Sequence, residues 1–115
     1  MYADILKSQL EQLVDKINLS LGCEKLSVHQ QPATEARLSV LGGNGRLCIN
    51  PTSEGYKIGL SGIPLTNEMY GFMREITGKP HDIYEFPADE RLPKWKVENF
   101  SIIEKAVHRY AQTTK

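Results

Sequence analysis

The chain has 115 residues, 40% hydrophobic and 24% charged, an ordinary composition for one globular domain with a core of its own. Fourteen basic residues balance fourteen acidic ones, so bulk charge offers no argument for a nucleic-acid partner. No apolar run approaches the roughly 18 residues that span a bilayer, and no cationic start leads into an apolar secretory stretch. These features predict a single cytoplasmic domain over residues 1–115 with no membrane role. The cysteines, Cys23 and Cys48, are too few for a disulfide scaffold and are expected to be reduced thiols.

From Tyr2 to Leu21 the apolar residues Leu6, Leu10, Leu13, Val14, Ile17 and Leu21 recur at three- and four-residue steps. That spacing predicts an amphipathic helix, with Asp4 in its first turn and Gly22 beyond its last. Lys25 to Gln30 reads as a short strand, followed by a break at Gln31-Pro32-Ala33-Thr34. Ala36 to Leu41 and Arg46 to Asn50 both alternate, with Gly42-Gly43-Asn44-Gly45 between them. If Leu41 pairs with Arg46, then Val40 faces Leu47 and Leu38 faces Ile49 on one side. Arg37, Ser39, Arg46, Cys48 and Asn50 then fall on the other. A turn over Pro51 to Gly55 leads to a strand with Tyr56, Ile58 and Leu60 inward and Lys57, Gly59 and Ser61 outward.

A second helix is expected from about Thr66 to Thr77, capped by Thr66 or Asn67 and ended by Gly78. Gly71 in its middle costs about 1 kcal/mol against alanine, which predicts a close packing contact there. Ile83 to Phe86 and Lys94 to Val97 read as two brief strands. The last helix is expected from about Ser101 to Gln112, with a capping box over Ser101-Ile102-Ile103-Glu104. The order α-β-β-β-β-α-β-β-α predicts an α+β fold: a two-layer domain, its mainly antiparallel sheet of about four to six strands covered by three helices.

Candidate chemistry is sparse. His29, His81 and His108 lie in separate segments and form no metal-ligand spacing, so no metal site, cofactor or catalytic residue is assigned. The glycine loop at 42–45 lacks the helix start that a phosphate cradle needs, and a hairpin turn explains it better. Asp82, Glu85, Asp89 and Glu90 form an acidic run; a metal-dependent enzyme could use such carboxylates, although solvation of a turn and local pairing explain them better. Residues 79–90 carry a net −3 and residues 91–115 a net +4, so the overall neutrality conceals an acidic turn followed by a basic end.

Lys94-Trp95-Lys96 could serve nucleic acid, the ring stacking on a base between two phosphate-contacting cations. Strand alternation gives the competing reading, with Trp95 in the core and both lysines in solvent. Arg37, Arg46 and Lys57 on adjacent predicted strands offer a second cationic surface. Met69, Tyr70, Phe72 and Met73 place four large apolar residues within five positions, more than one narrow stripe, so Tyr70 and Met73 are candidates for a partner or a homodimer.

In element order the chain is similar to the small dimeric chaperones that escort bacterial secretion effectors, which have an N-terminal helix, three antiparallel strands, a central helix, further strands and a last helix. That resemblance implies a binding role. The expected function is therefore a non-enzymatic protein-binding domain of inhibitor, immunity, adaptor or chaperone type, with Tyr70, Met73, Arg37, Arg46 and Lys57 as partner-binding candidates. Nucleic-acid binding through the basic sheet face or the basic C-terminal end is the alternative, and the metal-dependent enzyme a second.

Overall fold

The computed structural model describes residues 2–30, 38–80, 83–84 and 93–113. Helix α1 (Tyr2–Leu21) is followed by strands β1 (Ser27–Gln30), β2 (Leu38–Leu41), β3 (Arg46–Thr52) and β4 (Gly55–Ser61). Helix α2 (Ile63–Thr77), strands β5 (Ile83–Tyr84) and β6 (Pro93–Val97) and helix α3 (Phe100–Ala111) complete the order. The sheet runs β1-β2-β3-β4-β6-β5 with every pair antiparallel. It comprises five full strands and the two-residue edge strand β5, so the fold is the expected compact α+β class.

Strand alternation sorts the sheet into two faces. Leu38, Ile49, Ile58 and Trp95 stand opposite one another across four strands, and all four are fully buried. Beside them Val40, Leu47 and Leu60 form a second buried row. The register Leu38↔Ile49 and Val40↔Leu47 is the one the alternation predicts. The three helices cover this face. The stripe Leu6, Leu10, Leu13, Val14 and Ile17 of α1 is buried, as are Met69 and Met73 of α2 and Ile103, Val107 and Tyr110 of α3. Helix α1 contacts β1 and β3, α2 contacts β4 and β6, and α3 touches both other helices.

Three local expectations are corrected. Helix α2 begins at Ile63, ahead of the expected Thr66, because Pro64 sits in the first turn, where its missing N–H would have had no partner anyway. Thr66 is then inside the helix, and its hydroxyl donates to the Gly62 carbonyl (2.9 Å). Helix α3 begins at Phe100 with Asn99 as its extended N-cap residue and no side-chain cap bond, so the Ser101–Glu104 capping box does not form. Gly71 faces open space, with nothing within 4 Å of a Cβ placed there, so close packing does not account for it.

Candidate functional site

The two ends of the sheet differ in how their loops are closed. At one end lies the β2–β3 loop, Gly42-Gly43-Asn44-Gly45. The buried Tyr110 phenol of α3 accepts from the Gly43 N–H (3.1 Å) and donates to the Gly45 carbonyl (2.9 Å). The Asn44 N–H donates to Thr113 Oγ1 (3.0 Å), which in turn donates to the Tyr110 carbonyl (2.7 Å). From the α1–β1 connection, Lys25 Nζ donates to the Ala111 carbonyl (2.6 Å), and Asn44 Nδ2 reaches Glu68 of α2 (2.6 Å). A Cβ at Gly43 would collide with Thr113 Oγ1 and the Tyr110 carbonyl, so the glycine permits this approach. Burial raises the Tyr110 pKa above its ordinary 10.0, and the Gly43 hydrogen bond works against that rise. The glycine loop is a hairpin turn, as expected, and also the socket for the end of α3.

Among the described residues the opposite end is open. The β3–β4 turn is tight: Thr52 pairs with Gly55 and the Glu54 N–H donates to Thr52 Oγ1 (3.3 Å). Gly55 has φ 150°, and a Cβ there would collide with the Val97 carbonyl, so glycine lets the turn lie against the end of β6. Helix α2 ends nearby at Gly78, which is left-handed at φ 73° and donates to the Arg74 carbonyl. The Lys79 carbonyl accepts from Trp95 Nε1 (3.1 Å) and Thr77 Oγ1 (3.1 Å), which fixes this terminus to the sheet. The start of α3 arrives at the same place, where Phe100 packs edge-on against Tyr56 with ring centroids 6.0 Å apart.

Between these three elements runs a groove of about 600 Å³. Its apolar lining comes from Tyr56, Ile76, Val97 and Ile102, and its charged lining from Lys57, Lys79 and Lys96 with Glu54 and Glu98. On the other side of the same turn a smaller groove of about 210 Å³ is lined by Ile5, Leu6 and Gln9 of α1 together with Pro51, Tyr56 and Glu98. Ile5 is 61% exposed beside it. Tyr56, Glu98, Thr52 and Ser53 line both grooves.

The sheet face away from the helices has its own electrostatic character. No described strand carries an aspartate or glutamate, whereas Arg46, Lys57, Lys94 and Lys96 lie on β3, β4 and β6. Lys57 and Lys96 are directly opposite each other on neighbouring strands.

The residues anticipated from sequence are scattered by the fold. Lys57 and Lys96 reach the larger groove, and Arg46 is exposed at the far end of β3. Tyr70 is half-buried, its ring centroid 5.4 Å from that of Trp95, and Met73 is fully buried in the core. Arg37 lies outside the described residues, as do Asp82, Glu85, Asp89 and Glu90. Trp95 is fully buried, which corrects the base-stacking reading: it occupies the inward position on β6, so its ring faces the helices. Lys94 also departs from the exposed position expected of it. It is 8% exposed because its aliphatic stem crosses Gly59, where a Cβ would stand 3.0 Å from Lys94 Cγ. The open end itself was not anticipated, since its walls come from separate turns and helix ends brought together only by folding.

Cys23 is exposed and Cys48 half-buried, and both are free thiols. Among the described residues no group of three His, Cys, Asp or Glu side chains could hold a metal ion, and no helix is long and apolar enough to cross a membrane. No family model, curated protein or solved structure matches the chain. The likeness to secretion chaperones therefore rests on element order alone.

Proposed function

We propose that the chain is a non-enzymatic protein-binding domain of inhibitor, immunity, adaptor or chaperone type, working in the cytoplasm and engaging its partner at the open end of the sheet. The observation that carries this reading is the groove between the β3–β4 turn and the ends of α2 and α3, whose aliphatic lining from Ile76, Val97 and Ile102 lies next to the cationic Lys57, Lys79 and Lys96. Apolar surface supplies the affinity of a protein interface, and charged groups beside it supply orientation and selectivity. A homodimer using the same surface belongs to this reading.

Affinity capture of the tagged chain from its native cell extract, with nuclease-treated and untreated halves compared by mass spectrometry, tests it. A stoichiometric protein partner that survives nuclease is the expected result. Loss of the captured material after nuclease would favour a second reading, nucleic-acid binding. The observation behind that reading is the set of cations Arg46, Lys57 and Lys96 on strands that carry no carboxylate. Affinity would then fall steeply with salt as phosphate contacts release counterions.

A further inference from the structure

We propose that Asn44 is a site of spontaneous covalent modification, losing its side-chain amide through a cyclic imide formed with the backbone nitrogen of Gly45. The product, aspartate or isoaspartate, then stands in the socket that holds the end of α3. The Gly45 nitrogen attacks the side-chain carbonyl carbon of Asn44 and closes a five-membered succinimide ring. The amide nitrogen leaves as ammonia and takes the Gly45 N–H proton with it. Water then opens the ring: attack at the side-chain carbonyl gives aspartate, and attack at the backbone carbonyl gives isoaspartate. The site belongs to the closed end of the sheet and does not depend on the protein-binding reading.

The first support is the residue that follows. Of the chain's asparagines, Asn44 alone precedes a glycine. Leu19, Glu68 and Phe100 follow Asn18, Asn67 and Asn99, and a side chain there crowds the attacking nitrogen. Pro51 after Asn50 has no N–H to give up. The fold itself demands glycine at 45, where φ is +59° and a Cβ would collide with the Ser61 carbonyl. The geometry of the turn thus supplies the asparagine–glycine step. Gly45 is exposed, and among the described residues its N–H makes no hydrogen bond, so the attacking nitrogen is open to water and base.

The second support is what the Asn44 side chain holds before the reaction and loses after it. Its Nδ2 donates to Glu68 of α2 (2.6 Å). Loss of the amide replaces that donor by a carboxylate oxygen facing a carboxylate, so a hydrogen bond becomes a repulsion between like charges. Isoaspartate also lengthens the backbone by a methylene between two anchors of the α3 socket. One is the Asn44 N–H, which donates to Thr113, and the other the Gly45 carbonyl, which accepts from Tyr110. The loop must shift to keep either bond. In the intact chain Glu68 holds the carboxamide against α2, away from free rotation toward Gly45. The closed socket therefore slows the reaction, and the reaction irreversibly loosens the socket.

Incubation of the full chain at mildly alkaline pH and physiological temperature, followed by peptide mapping with mass spectrometry, tests the proposal. The peptide carrying Asn44 should gain the mass of an amide-to-acid exchange and split into two chromatographic isomers, ahead of those carrying Asn18, Asn67 and Asn99. Glu68→Ala should hasten the reaction severalfold by freeing the carboxamide, with little change in melting temperature because Glu68 is exposed. The modified chain should melt below the intact one. Asn44→Asp should reproduce part of that loss, and Glu68→Gln added to it should restore most of what was lost. An Asn44 still amidated when another asparagine has reacted, or when the incubation ends with none reacted, would overturn the site. A rate unchanged by Glu68→Ala would overturn the restraint by α2, and a modified chain that melts with the intact one would overturn the effect on the socket. None of these readouts requires a binding partner.

Discussion

The two ends of the sheet are built from similar materials and finished differently. Each has a hairpin loop rich in turn residues, and each receives one end of α3. At the 42–45 loop, the last turn of α3 docks with its polar groups matched: Tyr110, Thr113 and Lys25 satisfy loop and helix-end groups that would otherwise be left without partners. At the 52–55 turn, the first turn of α3 has no side-chain cap, and grooves open on both sides of the hairpin. Polar groups committed to internal hydrogen bonds stabilise the fold but are withdrawn from partners. Lys57 lines a concave surface at the other end, and the contrast is between an end closed by internal hydrogen bonds and an end with two grooves.

Substitutions should separate the two. The largest expected effect is Gly43→Ala at the closed end. The added methyl meets Thr113 Oγ1 and the Tyr110 carbonyl, and overpacking of this kind costs about 1–3 kcal/mol or more when backbone must move. Chemical denaturation measures it, and a loss below about 0.5 kcal/mol would mean that the socket is loose.

Tyr110→Phe should follow at about 1–3 kcal/mol, because it leaves the Gly43 N–H and Gly45 carbonyl without their partner. It should also change the alkaline limb of the stability profile. With its pKa raised in the folded state, the buried phenol keeps its proton to higher pH than the unfolded one. Its contribution is then fully present below about pH 10 and is lost as pH rises through the folded value. Melting temperatures of wild type and Tyr110→Phe should therefore converge above pH 10; parallel curves would contradict the burial of the phenol.

Gly71→Ala lies outside both ends and should stabilise by about 0.5–1 kcal/mol, since the site is open and helical and nothing opposes the methyl. Lys57→Glu at the open end should have the smallest effect on stability, a gain of about 0.2–1 kcal/mol from the new pair with Lys96. Its effect should appear in binding instead.

Where function was sought in the sequence and where the structure leads diverge for a physical reason. Periodicity reports the core directly, so the α1 stripe and the pairing of Leu38 with Ile49 and Val40 with Leu47 were legible from residue spacing alone. It also placed Trp95 on the inward side of its strand, against the lysine-flanked ring that suggested base stacking. Helix starts were harder: Pro64 resembles a boundary but belongs to the first turn of α2, and Ser101 resembles a cap although Asn99 takes that place. The α2 cluster looked too wide for one stripe, yet Met73 is wholly in the core and Tyr70 rests on Trp95. The groove had no local signal, since a turn at Thr52, a helix end at Gly78 and a helix start at Phe100 are ordinary features apart. Of its lining the sequence marked Lys57, as a cation of the outer sheet face with Arg37 and Arg46, and Lys96, as a flank of Trp95.

The most direct test is capture from nuclease-treated extract with wild type, Lys57→Glu and Tyr110→Phe side by side, below the melting temperature of each. Binding at the open end predicts that Lys57→Glu loses its protein partner while remaining at least as stable as wild type, and that the less stable Tyr110→Phe keeps it. A partner retained by Lys57→Glu and lost by Tyr110→Phe would contradict that division and place the interface at the closed end.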